Sequence, residues 1–208
     1  IGVSVYSPTD AWGTKVYKGI DYEISRGCIY SCAYCVETII QKYYEFNEAS
    51  EKTGAIKNFK KYSRNKSAKM IFFEISKLNK DFGINFFRCQ DTNFLTIKRS
   101  VLIELSELIS ESKLDIKLYI ETRPEGINQE SINLLKKLRV DGIGMGVEAS
   151  SETFRQTNLN RFADQNKIIN AFKILRKNGI KRTSYNIIGA PLQDEQSIKE
   201  TIEFNRYL

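Results

Sequence analysis

Three cysteines lie close together near the start of the chain, in the stretch RGCIYSCAYC. Cys28, Cys32 and Cys35 fall within eight residues, and the whole sequence holds four cysteines and no histidine. Thiolates bind soft and borderline metals, including zinc and the irons of iron–sulfur clusters. The three cysteines are too close in sequence to staple a fold usefully, so metal or redox chemistry is the stronger interpretation.

The number of thiols separates two kinds of metal site. A structural zinc site is closed by four ligands, and the fourth cysteine, Cys89, falls on a predicted strand, where a cysteine is more often a small buried hydrophobe. A cubane iron–sulfur cluster held by three thiolates keeps one iron free to bind another molecule. A reactive iron–sulfur cluster and a zinc-stabilised binding module both stay open on this count.

The composition is that of one ordinary globular domain of 208 residues, with 41% hydrophobic and 27% charged residues. No apolar run approaches the roughly 20 residues that span a bilayer, so we expect a cytoplasmic protein without membrane association. The net charge of +7 is compatible with an anionic substrate or RNA. Nucleic acid is not favoured, because no basic run is interleaved with aromatic residues as in a nucleic-acid module.

Apolar runs and helical patterns alternate along the chain. Strands are predicted at residues 19–25, 84–91, 114–122, 142–148 and 180–191, and helices at 67–83, 97–112, 128–140, 164–179 and from 194. The polar, lysine-rich residues 45–65 are interpreted as a loop or insertion. Five to six strand–helix units indicate an α/β fold with a partial parallel (βα) barrel, because a complete eightfold barrel needs about 250 residues.

We expect residues 19–208 to form this core domain and residues 1–18 to be the tail of a linker. The sequence opens on Ile1 and ends within a helical pattern, so the core is expected to be part of a longer chain. Active sites of such folds lie at the carboxyl ends of the strands. Five unusual segments fall there: the cysteine loop, QDTNF, ETRPE, GVEASS and IIGAP.

The cysteine loop resembles that of the radical S-adenosylmethionine (SAM) superfamily. CIYSCAYC has the CxxxCxxC spacing, an aromatic before its last cysteine and a predicted strand ahead of it. The resemblance implies an open TIM-like core with a four-iron four-sulfur cluster held by Cys28, Cys32 and Cys35. It also implies reductive cleavage of SAM to a 5′-deoxyadenosyl radical that abstracts hydrogen from a small-molecule substrate. The electron donor would be of the flavodoxin or ferredoxin type.

The same resemblance implies SAM contacts at the ends of the first three strands. Tyr34 matches the aromatic that lies near the adenine, although it is also explained as a packing residue. Asp91 would accept a hydrogen bond from the SAM ammonium group, or cap a helix. Arg123 would bind a carboxylate of SAM or substrate, or form a structural salt bridge with Glu121 or Glu125.

Two further strand ends carry the remaining candidates. GVEASS resembles the family's Gly-x-Glu-Ser segment, which implies that Glu148 binds the SAM ribose or amino group and that Arg161 pairs with the SAM carboxylate. Ile187 and Gly189, in YNIIGAP, match the apolar strand end that lies against the adenine. An ordinary buried strand followed by a turn explains these two equally well.

The second strand end favours one subgroup of the family. Asp91, Asn93 and Phe94 form a pattern similar to that of members with a cobalamin-binding domain ahead of the radical SAM domain. That resemblance implies cobalamin bound by a preceding domain and methylation of carbon, although ring formation or rearrangement also occurs there. A tRNA methylthiotransferase core is the nearest enzymatic alternative, and a zinc-stabilised binding module is the alternative from another class.

Overall fold

The computed structural model describes residues 4–6, 17–46 and 48–208. Along them the strands are β1 (Ser4–Tyr6), β2 (Tyr17–Tyr22), β3 (Ser25–Arg26), β4 (Arg64–Asn65), β5 (Phe86–Cys89), β6 (Lys117–Thr122), β7 (Val140–Glu148) and β8 (Lys181–Asn186). The helices are α1 (Val36–Tyr43), α2 (Phe59–Tyr62), α3 (Ala68–Phe82), α4 (Arg99–Glu111), α5 (Gln129–Lys137), α6 (Glu152–Leu159), α7 (Gln165–Lys177) and α8 (Glu195–Tyr207).

Six strands form one sheet in the order β1-β2-β5-β6-β7-β8. The five strands from β2 to β8 pair in parallel, and β1 pairs antiparallel with β2 at the edge. The predicted α/β class and parallel strand–helix repeat are therefore confirmed. Three residues of the predicted linker tail, Ser4–Tyr6, pair with this sheet, while residues 7–16 lie outside the described part of the chain.

Helices α3, α4, α5 and α7 cover the outer face of the sheet with an apolar layer. Side chains from both sides of this layer are completely buried: Ile71, Ile75, Leu105, Leu135 and Leu175 from the helices, and Leu118, Ile120 and Ile143 from the strands. Burying one such side chain stabilises the fold by about 1.5–3 kcal/mol. The opposite face of the sheet is left to line the interior of the partial barrel.

Local signals explain where the predicted helices begin and end. The side chain of Ser67 accepts a hydrogen bond from Met70 N, and Gly83 ends α3 with a φ of 64°. Asn128 caps α5 and Asp194 caps α8, each within a reciprocal capping box. No helix of the described residues is long and apolar enough to cross a membrane.

Two predictions about the connections were wrong. Residues 45–65 are not a plain loop, because they contain α2 and β4, and β4 pairs antiparallel with β3. Ile56 and Tyr62 of this segment are buried. The sequence pattern also predicted no helix after β7, but α6 begins four residues after that strand ends.

Candidate active site

The three cysteines lie in the loop that connects β3 to α1, at the carboxyl end of the barrel. Gln41 of α1 anchors this loop because its buried side-chain amide donates to the carbonyls of Cys28 and Tyr30, both at 2.9 Å. Cys35 occupies the N-cap position of α1, and its amide donates to Cys32 O at 3.1 Å. The helix therefore fixes the spacing of all three thiols.

Two other segments hold the loop from outside. The amide and hydroxyl of Ser31 both donate to Gly54 O, at 2.9 and 2.8 Å, in the segment 45–65. Asn160, just after α6, donates through its side chain to Ser31 O at 2.7 Å. The two elements that sequence reasoning missed are thus the ones that clamp the cysteine loop.

Burial sets the protonation of the thiols. It raises the pKa of Cys28 to about 11 and also raises the pKa of Cys35. Both groups are therefore neutral thiols at neutral pH, and a bound metal has to displace their protons. Arg123 Nη1 lies 3.8 Å from Cys32 Sγ, so a cation faces one of the three thiols.

Arg123 is held rigidly beside the cysteines. Its guanidinium carbon lies 3.7 Å from the centre of the Tyr30 ring, and its Nη2 and Nε lie 2.6 and 3.0 Å from Glu125 Oε1. Of Glu121 and Glu125, the two predicted salt-bridge partners, Glu125 is the one that pairs with Arg123. Burial alone would raise the pKa of Glu125, but the two nearby arginines, Arg123 first, hold it below its usual value.

Glu148, Tyr34 and Arg161 form a second polar group facing the cysteines. Tyr34 Oη donates to Glu148 Oε1 at 2.8 Å, and Arg161 Nη1 lies 3.9 Å from the same oxygen. Arg161 also donates to Gly146 O, whereas its buried Nε has no hydrogen-bond partner. Burial would lower the pKa of Arg161, but the phenol of Tyr34 and the carboxylate of Glu148 raise it, so it stays a cation.

Gly146 makes this arrangement sterically possible. A Cβ at Gly146 would lie 2.1 Å from Glu148 Oε1, and one at Gly144 would lie 2.5 Å from Tyr119 Oη. Alternate glycines weaken a strand unless something approaches closely. Here the side chains of Tyr119 and Glu148 occupy the space that a Cβ would take at Gly144 and Gly146.

One cavity of about 190 Å³ collects these groups. It is lined by Cys28, Tyr30, Cys32, Tyr34, Cys35, Thr92, Glu121, Thr122, Arg123, Gly144, Gly146, Glu148, Arg161 and Tyr185. Three thiols, two guanidinium groups and the carboxylate of Glu148 therefore meet in one place. Seven of the ten predicted site residues line the cavity: the three cysteines, Tyr34, Arg123, Glu148 and Arg161.

The other three predicted residues lie elsewhere. Asp91 is buried behind the cavity, where its Oδ1 accepts hydrogen bonds at 2.5 Å from both the amide and the hydroxyl of Ser25 in β3. Ile187 and Gly189 follow the end of β8, and the amide of Ile187 donates to Glu148 O at 2.9 Å. Gly189 is exposed, with a φ of 80°. None of the three is among the lining residues.

Sequence reasoning missed several residues that line the cavity. Glu121 pairs with Gly144, and Tyr185 pairs with Gly146, so the strand register brings them to the inner face of the sheet. Tyr185 Oη lies 2.7 Å from Tyr119 Oη and donates to Glu121 Oε1 at 3.2 Å. The alternation of side chains along β6 and β8 is the signal that would have found them.

The donor set suits a cluster better than a single ion. In the part of the chain that the structure describes, no three Cys, Asp or Glu side chains are placed to hold one metal ion. A four-iron cluster does not require that convergence, since each thiolate binds its own iron. The guanidinium groups of Arg123 and Arg161 and the carboxylate of Glu148 line the same cavity, so it holds both charges that a zwitterion such as SAM would need.

Comparisons with known proteins agree with this donor set. Residues 22–204 match the radical SAM superfamily. An uncharacterized methyltransferase of Pyrococcus horikoshii, PH0819, is 23% identical over 184 residues, which are 88% of this chain and 36% of the relative. The chain thus spans about a third of the length of that relative.

Two solved structures share the fold. The cobalamin-dependent SAM radical enzyme OxsB, with aqua-cobalamin and SAM bound, matches with a TM-score of 0.66 and 18% identity over 90% of this chain and 26% of its own. The radical SAM methyltransferase TsrM from Kitasatospora setae, with cobalamin and a [4Fe-4S] cluster bound, matches with a TM-score of 0.68 and 14% identity over 92% and 35%. By its family match and its cysteine loop, the chain belongs to the radical SAM superfamily.

Proposed function

We propose that this chain is the catalytic core of a radical SAM enzyme and that the cavity binds a four-iron four-sulfur cluster and SAM. The observation that carries the proposal is the convergence of three thiols, Arg123, Arg161 and Glu148 in one cavity. When bound, the cluster and SAM supply reductive cleavage of SAM and hydrogen-atom abstraction from a small-molecule substrate. Every other step depends on how the chain binds and orients these groups.

The three cysteines bind the cluster, and the two arginines balance the charge that it brings. Arg123 faces Cys32 across 3.8 Å and is kept in place by Glu125 and the Tyr30 ring. Its fork is therefore preorganised, which lowers the entropy cost of binding an anion. Arg161 lines the cavity as a second cation and is assigned to a carboxylate, the role that the family resemblance implies for it.

Glu148 is assigned to the amino or ribose hydroxyl groups of SAM. It ends β7 with a φ of 67°, a conformation that costs a residue other than glycine free energy. Tyr34 orients the carboxylate by its 2.8 Å hydrogen bond, which places the Tyr34 ring at the mouth of the cavity. Asp91 does not contact SAM in this proposal. Its hydrogen bonds fix Ser25 and thereby the start of the cysteine loop.

We propose that the complete protein uses cobalamin, bound by a part that lies outside this chain, and that the net reaction is methylation. Both solved neighbours named above carry cobalamin, and one of them is a methyltransferase. A tRNA methylthiotransferase is the alternative, and it predicts sulfur insertion into tRNA instead. All four cysteines are free thiols, which fits the reducing environment of the cytoplasm proposed for it.

Equilibrium binding of SAM to the reconstituted full-length protein tests the assignment of the cavity. Arg161→Met and Glu148→Gln should each weaken SAM binding about 10- to 100-fold, since each removes a charge-assisted contact of roughly 1.5–3 kcal/mol. Their iron content should stay unchanged because neither side chain is a cluster ligand. Unaltered SAM affinity in both variants would contradict the proposed site.

A further inference from the structure

The segment 52–69 is strongly basic. Residues 52–69 contain seven lysines and arginines and no acidic residue. Residues 165–193 also lack acidic residues and contain six lysines and arginines, but these are spread over a longer stretch. The segment 52–69 is therefore the denser of two basic segments.

Most of these charges are exposed and have no acidic partner. Lys57 pairs with Glu48, and Lys66 pairs with Glu74. The other five side chains make no salt bridge within residues 17–46 and 48–208: Lys52, Lys60, Lys61, Arg64 and Lys69. All five are exposed. We call these five cations the basic face.

The basic face is built directly onto the cysteine loop. Ile56 N donates to Ile29 O at 2.7 Å, and β4 pairs Arg64 with Arg26, two residues before Cys28. Two residues of extended chain span at most about 7 Å. A partner that contacts the basic face is thus brought close to the thiols without entering the cavity.

A groove of about 480 Å³ joins the basic face to exposed apolar side chains. Its lining includes the cations Lys61 and Arg64, the apolar side chains of Ile40 and Tyr44, and also the carboxylates of Glu23 and Glu37. Thr92 lines both this groove and the cavity of the candidate active site. The two spaces therefore lie on opposite sides of the same wall.

The apolar side of the groove continues over α1, immediately after Cys35. The exposed fractions are 63% for Val36, 69% for Ile39 and 81% for Tyr43. An exposed apolar patch with a charged rim is the usual composition of a protein–protein contact. The patch extends beyond the groove, so its occupant is larger than a small anion.

We propose that the basic face and the exposed side of α1 form the docking surface for an acidic one-electron carrier protein. The inference rests on the proposed function, which consumes one electron per SAM cleaved. In the step, the reduced carrier loses one electron to the site held by the three thiols, and no bond forms or breaks. Charge complementarity then steers the association, as in other small, transient redox contacts.

The exposed aliphatic side chains of α1 favour a protein rather than RNA as the occupant. Single-stranded nucleic acid binds by stacking its bases on exposed rings, and Tyr43 and Tyr44 offer such rings beside the cations. Val36 and Ile39 have no ring on which a base could stack, and burying them suits a protein contact. The experiment therefore includes tRNA binding as the result that would favour RNA.

A charge reversal with a matched control tests the docking surface in the full-length reconstituted protein. Lys60→Glu with Lys61→Glu alters the last turn of α2, and Arg176→Glu with Lys177→Glu alters the last turn of α7. The α7 end precedes β8, so it lies at the amino ends of the strands, opposite the cysteines. Binding of reduced flavodoxin is measured for both at low and high salt.

We expect the α2 reversal to weaken flavodoxin binding about tenfold or more at low ionic strength, with the difference shrinking in salt. The α7 reversal should change it by less than about twofold. Formation of 5′-deoxyadenosine should fall with reduced flavodoxin as donor and stay unchanged with dithionite, which needs no docking. Failure of the wild type with dithionite would refute the proposed function, while the binding experiment would still report on the surface.

Three results would overturn the inference. The first is flavodoxin binding that is absent, insensitive to salt, or equally weakened by both reversals. The second is a loss of tRNA binding, rather than flavodoxin binding, in the α2 variant. The third is protection of Lys60 and Lys61 from acetylation in the full-length protein alone, which would show that another part of the same chain covers them.

Discussion

The substitution Gly146→Ala tests whether activity depends on the geometry of the candidate site, separately from the stability of the barrel. The Cβ of Gly146→Ala would lie 2.1 Å from Glu148 Oε1 and 3.1 Å from Arg161 Nη2. A comfortable contact needs about 1 Å more for the carboxylate. Gly146 has no positive φ, so the backbone accepts alanine and the clash falls on the ends of two side chains.

Moving Glu148 by about 1 Å breaks its 2.8 Å hydrogen bond with Tyr34 and shifts its charge relative to Arg161. Overpacking of this kind costs about 1–3 kcal/mol of unfolding free energy. A misplacement of about 1 Å at a catalytic centre lowers activity about 100-fold. We therefore expect a modest loss in chemical denaturation and a loss of about 100-fold in 5′-deoxyadenosine formation.

The double variant Gly146→Ala with Glu148→Ala identifies the cause. With the carboxylate absent, the added methyl group should cost less than about 0.5 kcal/mol relative to Glu148→Ala alone. An equal cost in both backgrounds would show that the strand itself rejects alanine. Wild-type SAM cleavage by Gly146→Ala would refute the role given to Glu148.

Three other variants probe separate parts of the account. Burial would raise the pKa of Asp141, but Lys117 and Lys181 hold it below its usual value. The stabilisation that Asp141 gives is therefore complete above about pH 4 and is lost as the pH falls. In urea unfolding, Asp141→Asn should cost about 1 kcal/mol near pH 7 and less toward pH 3, and a difference that stays constant with pH would contradict this. Arg155 is completely buried and donates to three backbone carbonyls and one amide oxygen, so Arg155→Met should cost about 3–5 kcal/mol, seen as a lower Tm, and an unchanged Tm would refute that role. Cys89 is completely buried in the core, so Cys89→Ser should keep the iron content of the reconstituted protein, and its loss would make Cys89 a ligand.

Helix ends and the family of the cysteine loop could be predicted from the sequence because their signals are local. Ser67 and Gly83 bound α3 through their own side chain and backbone. The cysteine loop needed only its spacing to indicate the family, which the match over residues 22–204 shows. The structure places the three thiols in one cavity, and their role as ligands stays a prediction. Helix α6 was not predicted, because its sequence contains few apolar residues. Its N-cap is nevertheless local: Ser151 Oγ accepts a hydrogen bond from Phe154 N at 3.1 Å.

The sites of Asp91 and Tyr185 depend on contacts between distant parts of the chain. Asp91 is engaged by Ser25, 66 residues earlier, so its position at a strand end did not reveal its burial. The pairing register of β7 and β8 places Tyr185 at the cavity, and a shift of one residue would turn its side chain to the other face of the sheet. Ile187 and Gly189 were predicted from an extended β8, but the strand ends at Asn186.

The cluster itself is the central claim, and metal analysis tests it most directly. The full-length protein is reconstituted anaerobically with iron and sulfide, and iron, sulfide, zinc and the 5′-deoxyadenosine formed from SAM with dithionite are measured together. The account predicts about four irons per chain, with both cluster and product lost in Cys28→Ala, Cys32→Ala and Cys35→Ala. Stoichiometric zinc with no iron-dependent cleavage of SAM would contradict it.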